Sequence, residues 1–238
     1  MMEDKEERVR FLCRLEAGRA LARRLDHLRG EAGSLVLLAL PRGGIPVAYE
    51  VARALGVPLE VLLTRRIEVP GDPASAIGAV AEGGSLIVNS DVVRTFGLRA
   101  DAVQDLVDAT STQLRHDVSV YRGERPLPMV EGRCVVVVDD GITTGGSALA
   151  AVKVLRQRGA RRIVFATPVV GPGAADLVRR EVDELVVLQA PAEFIGVGYW
   201  YTRRGLSEEQ AVSLLTRARR ELGEAVSPHG WLAMAAGR

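Results

Sequence analysis

The sequence predicts an α/β fold, a parallel sheet flanked by helices with an N-terminal helix. Three observations lead there. Short continuous apolar runs recur at Ser34–Leu40, Leu59–Thr64, Val135–Val138, Arg162–Thr167 and Glu184–Leu188, as strands buried on both faces do. Segments of helical period alternate with them, which implies a sheet covered on both sides. The 238 residues, 47% of them hydrophobic, suit one substantial core. In such sheets ligands lie beyond the carboxyl ends of the strands, and the loops after Leu40, Thr64 and Val138 all fall on that edge.

Each element has a local reason. Residues 5–28 carry Val9, Leu12, Leu15, Leu21 and Leu25 on one stripe and are expected as an amphipathic helix. The strand Ser34–Leu40 is broken by Pro41-Arg42-Gly43-Gly44, and a helix from Pro46 to Leu55 stops at Gly56. After the second strand, Pro70, Gly71, Asp72 and Pro73 mark residues 66–76 as an exposed loop. Ile77–Ala81 and Ser85–Asn89, around Glu82-Gly83-Gly84, read as a hairpin. Asp101–Tyr121 is a helix with Val103, Leu106, Val107, Leu114 and Val118 inward. The strand at 135–138 feeds a helix from Ala148 to Arg158, which Gly159 ends. A short helix at Ala174–Arg180 precedes the last strand, and Ser207 caps a final helix with Glu209 and Gln210 in its first turn. One domain is expected over 1–222, and the tail 223–238, rich in Gly, Pro and Ala, is a candidate for disorder.

Composition excludes several classes. A net charge of +1 gives no global field for nucleic acid. No apolar run reaches the roughly 20 residues that span a bilayer. Two cysteines, Cys13 and Cys134, form no disulfide framework, so a reducing cytoplasm is expected. There is no GxxxxGK[ST] loop and no HExxH motif.

The most informative stretch is Val135–Val138 followed by Asp139, Asp140, Gly141, Ile142, Thr143, Thr144, Gly145, Gly146 and Ser147. A buried strand ends in two carboxylates, and a Gly/Thr/Ser turn then opens a helix. Glycines and a helix N-terminus suit an anion, with hydroxyl donors from Thr143, Thr144 and Ser147. The carboxylates suit sugar hydroxyls or a divalent cation. A ligand with both features is a phosphorylated sugar.

At these residues the chain resembles the type I phosphoribosyltransferases. The resemblance implies their fold, including a small hood built from the N-terminal helix and about 190–222. It implies that Asp139 and Asp140 address the ribose hydroxyls of phosphoribosyl pyrophosphate (PRPP) and that residues 141–147 hold its 5-phosphate. It implies magnesium (Mg2+), met by Asp139 and Asp140 indirectly, and an acceptor that the resemblance does not identify. Pro41, Arg42, Gly43 and Gly44 match the loop that grips pyrophosphate, often through a non-proline cis peptide, here Pro41–Arg42. A narrower resemblance covers about residues 14–215, through EAGRALARRL, LALPRGGIPVAYEVARALGVPLEVLLTRRI, PGDPASAIGAVAEGG, VVVVDDGITTGGS and FIGVGYWY. It is to a group of uncharacterised phosphoribosyltransferases with an LPRGG loop. Ala74-Ser75 and Thr202-Arg203-Arg204 depart from that group on the expected acceptor side. Thr143 stands where the 6-oxopurine enzymes carry an Asp, which argues against hypoxanthine or guanine as acceptor. A homodimer is one candidate assembly.

Three further features complete the expected site. Arg65 and Arg66 at a strand end suit pyrophosphate, with the loop from Val69 to Pro73 as a lid. Glu82, in the hairpin turn, is a candidate to hold magnesium through water. Phe194, Tyr199, Trp200 and Tyr201 cluster in a chain with ten aromatics, and Phe194 and Trp200 are the candidates to stack on a base. Arg42 with Asp139 and Asp140 would then carry catalysis of phosphoribosyl transfer. A non-catalytic protein that senses PRPP is the alternative.

Overall fold

The computed structural model describes residues 10–223. The tail at 224–238 and the first residues of the expected N-terminal helix, Val9 included, lie outside the described residues.

Five strands form one parallel sheet: β1 (Leu35–Ala39), β2 (Leu59–Val61), β6 (Cys134–Val138), β7 (Arg162–Val169) and β8 (Glu184–Gln189), in the order β2-β1-β6-β7-β8. Every residue of β1 and β6 is buried. Side chains alternate across the sheet, so one strand feeds two cores. Leu35, Leu37, Val136 and Val138 pack with α1 (Arg14–Arg24), α2 (Gly44–Leu55) and α7 (Glu208–Leu222). Val36, Leu38, Val135 and Val137 pack with α5 (Gly146–Gln157). That double demand is why these strands read as unbroken apolar runs rather than as alternating ones. α6 (Ala174–Arg179) links β7 to β8.

A second, antiparallel sheet contains β3 (Thr64–Val69), β4 (Asp72–Ala81) and β5 (Ser85–Val88). It corrects the expected loop at 66–76. Most of that segment is strand, and Pro70-Gly71 alone makes the turn. Gly71 has φ +82°, as the third position of a type II turn requires after a proline. The turn chemistry was visible in the sequence, but the strands on either side lack a strict apolar alternation.

Two other differences stand out. Among the described residues the N-terminal helix runs Arg14–Arg24, with 10–13 outside it, and Asp26–Ser34 form 3-10 turns where the expected helix continued to residue 28. A short helix, α3 (Ser90–Thr95), was missed, although Asn89 caps it by accepting from the amides of Asp91 and Val92. The long helix α4 (Ala100–Arg122) and the Ser207–Gln210 capping box of α7 match expectation.

Candidate functional site

From β1 the chain passes outward to β2, and from β6 it passes the other way to β7 and β8. The crevice between β1 and β6 is therefore the sheet's switch point, where ligands bind in open α/β sheets. The Leu40 amide donates to the Val138 carbonyl at 2.9 Å, so the two following loops leave the sheet side by side. Both open into one cavity of about 530 Å³, lined by Pro41, Arg42 and Gly43 and by residues 139–149.

The loop after β1 carries the cis peptide at Pro41–Arg42 that the resemblance implied. Gly43 lies against the Asp140 carboxylate so closely that a methyl group there would overlap it. At Gly44 an added methyl would stand 2.6 Å from the Val138 carbonyl oxygen. The Gly44 amide donates to Leu40 at 3.1 Å, so this residue supplies close approach while its N–H is already used. Arg42 is exposed and lines the cavity.

The loop after β6 divides its labour. Ile142 is an anchor rather than a contact: its side chain is buried, and its amide donates to Val169 while its carbonyl accepts from Gly171. Thr143 and Thr144 are exposed at the cavity. Gly145, with φ +87°, turns the chain into α5, whose first amides at Gly146 and Ser147 have no carbonyl a turn earlier in the helix. These hydroxyls and amides are donors of the kind that suits an anion.

The carboxylates sit between the two loops. Burial, and then the charge of Asp140, push the Asp139 pKa well above the usual carboxylate range. The Asp140 amide donates to the Asp139 carboxylate at 2.8 Å. Asp140 itself is held by a residue that sequence reasoning missed. Arg14, first residue of α1, places both Nε and Nη2 at 2.6 Å from Asp140 Oδ2. The Tyr201 ring lies 4.4 Å under the Arg14 guanidinium, and the Tyr201 hydroxyl donates to the Asp140 carbonyl at 2.6 Å. No local signal marked Arg14, because its partner is 126 positions away.

A second cavity of about 680 Å³ adjoins the first and shares Pro41, Arg42, Arg66, Asp139 and Ser147 with it. Arg65 lines it but is tied to α4, donating to Asp117 at 2.6 Å and to Gln113 at 3.0 Å. Tyr121 also lines it, with a buried hydroxyl that has no hydrogen-bond partner and a pKa pushed up to about 12 by burial.

Two expected roles are corrected. Glu82 is not a magnesium candidate: it is 9% exposed, ion-paired with the buried Arg122, and accepts from the Leu63 amide at 3.0 Å. Its charge is consumed inside the fold. Trp200 is 1% exposed and packs with Phe11, Ala17, Val169 and Tyr201, so its ring has no face for a base. Phe194 packs onto Gly171, and neither aromatic lines either cavity. The cluster builds the junction between residues 11–12 and 200–203, whose backbones hydrogen-bond to each other.

Among the described residues no group of three or more His, Cys, Asp or Glu is arranged for a metal ion. Asp139 and Asp140 do fit a magnesium ion that arrives on a phosphorylated ligand, since magnesium keeps several waters and uses one or two carboxylates. Among the described residues no helix is long and apolar enough to cross a membrane.

Comparison with known proteins agrees with this geometry. The family model for the phosphoribosyl transferase domain matches residues 14–202. The chain is 42% identical over 219 residues to the putative phosphoribosyl transferase Rv0571c of Mycobacterium tuberculosis, covering 90% of this chain and 48% of that protein. It is 36% identical over 129 residues to the uracil phosphoribosyltransferase of Sinorhizobium medicae, covering 50% of this chain and 56% of that enzyme. The chain thus spans about half the length of these curated relatives. The crystal structure of TT1426 from Thermus thermophilus is similar with a TM-score of 0.71 and 39% identity, covering 87% of this chain and 98% of that one.

Proposed function

The chain belongs to the phosphoribosyl transferase family, and on that premise we propose that it moves a 5-phosphoribosyl group from PRPP to a nitrogen nucleophile and releases pyrophosphate. The observation that carries this reading is the shared cavity at the β1/β6 crevice. There a carboxylate pair stands between an anion cradle and a glycine turn bearing an arginine.

Thr143, Thr144, Ser147 and the first amides of α5 receive the 5-phosphate. Asp139 and Asp140 accept hydrogen bonds from the ribose hydroxyls and stabilise positive charge growing on the ring. Arg42 and the Gly43 amide face the pyrophosphate, with Arg65 and Arg66 behind them. The bond from ribose C1 to pyrophosphate oxygen breaks, and its electron pair leaves with pyrophosphate. The acceptor nitrogen supplies the pair for the new C1–N bond and loses its proton to water. Positioning and charge stabilisation carry this catalysis, so no covalent intermediate with the protein is needed. Magnesium bound with PRPP supplies further charge neutralisation at the leaving group.

The uracil enzyme among the relatives and Thr143 in place of an acid both favour a pyrimidine or another small nitrogen heterocycle over a 6-oxopurine. Cys13 and Cys134 are free thiols, which suits a reducing cytoplasm.

The test is pyrophosphate release from magnesium PRPP across a panel of nitrogenous bases. Release that requires both magnesium and one class of acceptor is expected. Tight PRPP binding without release for any acceptor would overturn the transferase reading and leave a PRPP sensor.

A further inference from the structure

Arg14 is ion-paired with Asp140, and the fold goes to some length to bring it there. Residues 11–12 run beside 200–203: the Phe11 amide donates to the Trp200 carbonyl at 2.9 Å, the Thr202 amide to Phe11 at 2.9 Å, and the Arg203 amide to Leu12 at 3.0 Å. Phe11, Trp200 and Tyr201 are buried in one cluster that anchors this strap. The strap delivers Arg14 between the Tyr201 ring and Asp140. Gly205 closes over the guanidinium, where an added methyl would lie 3.2 Å from Nη1. The side chains of Arg14 and Asp140 are each only 14% exposed, so the pair is well shielded from water.

Asp140 is thereby confined on three sides. Gly43 borders its carboxylate, Arg14 takes Oδ2, and the Tyr201 hydroxyl fixes its backbone carbonyl. A planar guanidinium both stacks on the ring and donates through two nitrogens, which an ammonium cannot do.

We propose that Arg14 is a positioning residue of the donor site, holding the Asp140 carboxylate in the one orientation that meets the ribose hydroxyls. It rests on the PRPP reading, and it makes the N-terminal strap part of the site. A carboxylate keeps about four lone-pair directions, so it can serve Arg14 and a sugar hydroxyl together. Without the guanidinium the side chain is free to turn, and the sugar then loses the share of its hydroxyl contacts that Asp140 supplies.

The experiment uses ribose 5-phosphate and 2-deoxyribose 5-phosphate as calorimetric probes on the full chain, in wild type, Arg14→Lys and Arg14→Ala. Melting temperatures establish that each variant is folded, and Arg14→Lys serves if Arg14→Ala is not. Wild type should prefer the ribose compound about tenfold, the effect of roughly one charge-assisted hydrogen bond. Both variants should lower that ratio several-fold while the 2-deoxy compound binds as before. A purely structural role would weaken both probes alike and leave the ratio intact, which overturns the inference while the PRPP reading stands. A wild type that binds neither probe overturns both.

Discussion

Asp139 is placed where its own charge is disfavoured. Burial and Asp140 raise its pKa, so between the ordinary and the raised value the ligand-free folded chain holds a proton that the unfolded chain has released. The sign follows: this group lowers stability as pH rises above the ordinary carboxylate value of about 4 and through the raised one. Asp139→Asn should therefore raise the melting temperature of the ligand-free protein near neutral pH. It should also flatten the fall of that temperature with pH, and abolish the stabilisation given by magnesium PRPP. A lower melting temperature in the ligand-free variant would contradict this reading. Tyr121 is a second residue at odds with its surroundings, since its buried hydroxyl lacks a partner. Such a group costs about 1–3 kcal/mol. Tyr121→Phe should leave thermal stability unchanged or improved, and a marked loss would mean that the hydroxyl is bonded after all.

At the scale of elements, the ion pair between Glu82 and Arg122 ties the end of β4 to the end of α4, and Arg122 also donates to the Val61 carbonyl of β2. Arg122 is 4% exposed. Glu82→Gln leaves it buried without a counter-charge, at a cost of about 3–5 kcal/mol. Chemical denaturation should show that loss, with magnesium PRPP affinity of the folded protein unchanged; a selective loss of magnesium-dependent binding would restore Glu82 as a ligand. This residue also shows where sequence reading ends. β1, β6 and β7 were legible because burial on both faces leaves an unbroken apolar run, and β8 by its Leu185–Leu188 run, although only Val186 of it is buried. The 141–147 turn was legible because its glycines, hydroxyls and acids are contiguous. Glu82 was misread because its partner lies 40 positions on, and Arg14 was missed because Asp140 lies 126 positions on. Trp200 was misread because an aromatic near a site and an aromatic inside a core look alike in sequence.

For the whole molecule, the sheet's direction of travel makes the site. β1 and β6 are neighbours although about a hundred residues separate them, and the helices and antiparallel sheet between them wall the second cavity. The strap from the N-terminal side and the segment after β8 close the first cavity from the other side. Both closures converge on the crevice beyond β6. The most direct measurement is the crystal structure of the protein soaked with magnesium PRPP. The 5-phosphate should lie among Thr143, Thr144 and Ser147 at the start of α5, with the ribose against Asp139 and Asp140. Density for the ligand elsewhere, with that turn closed over by its own side chains, would contradict the account.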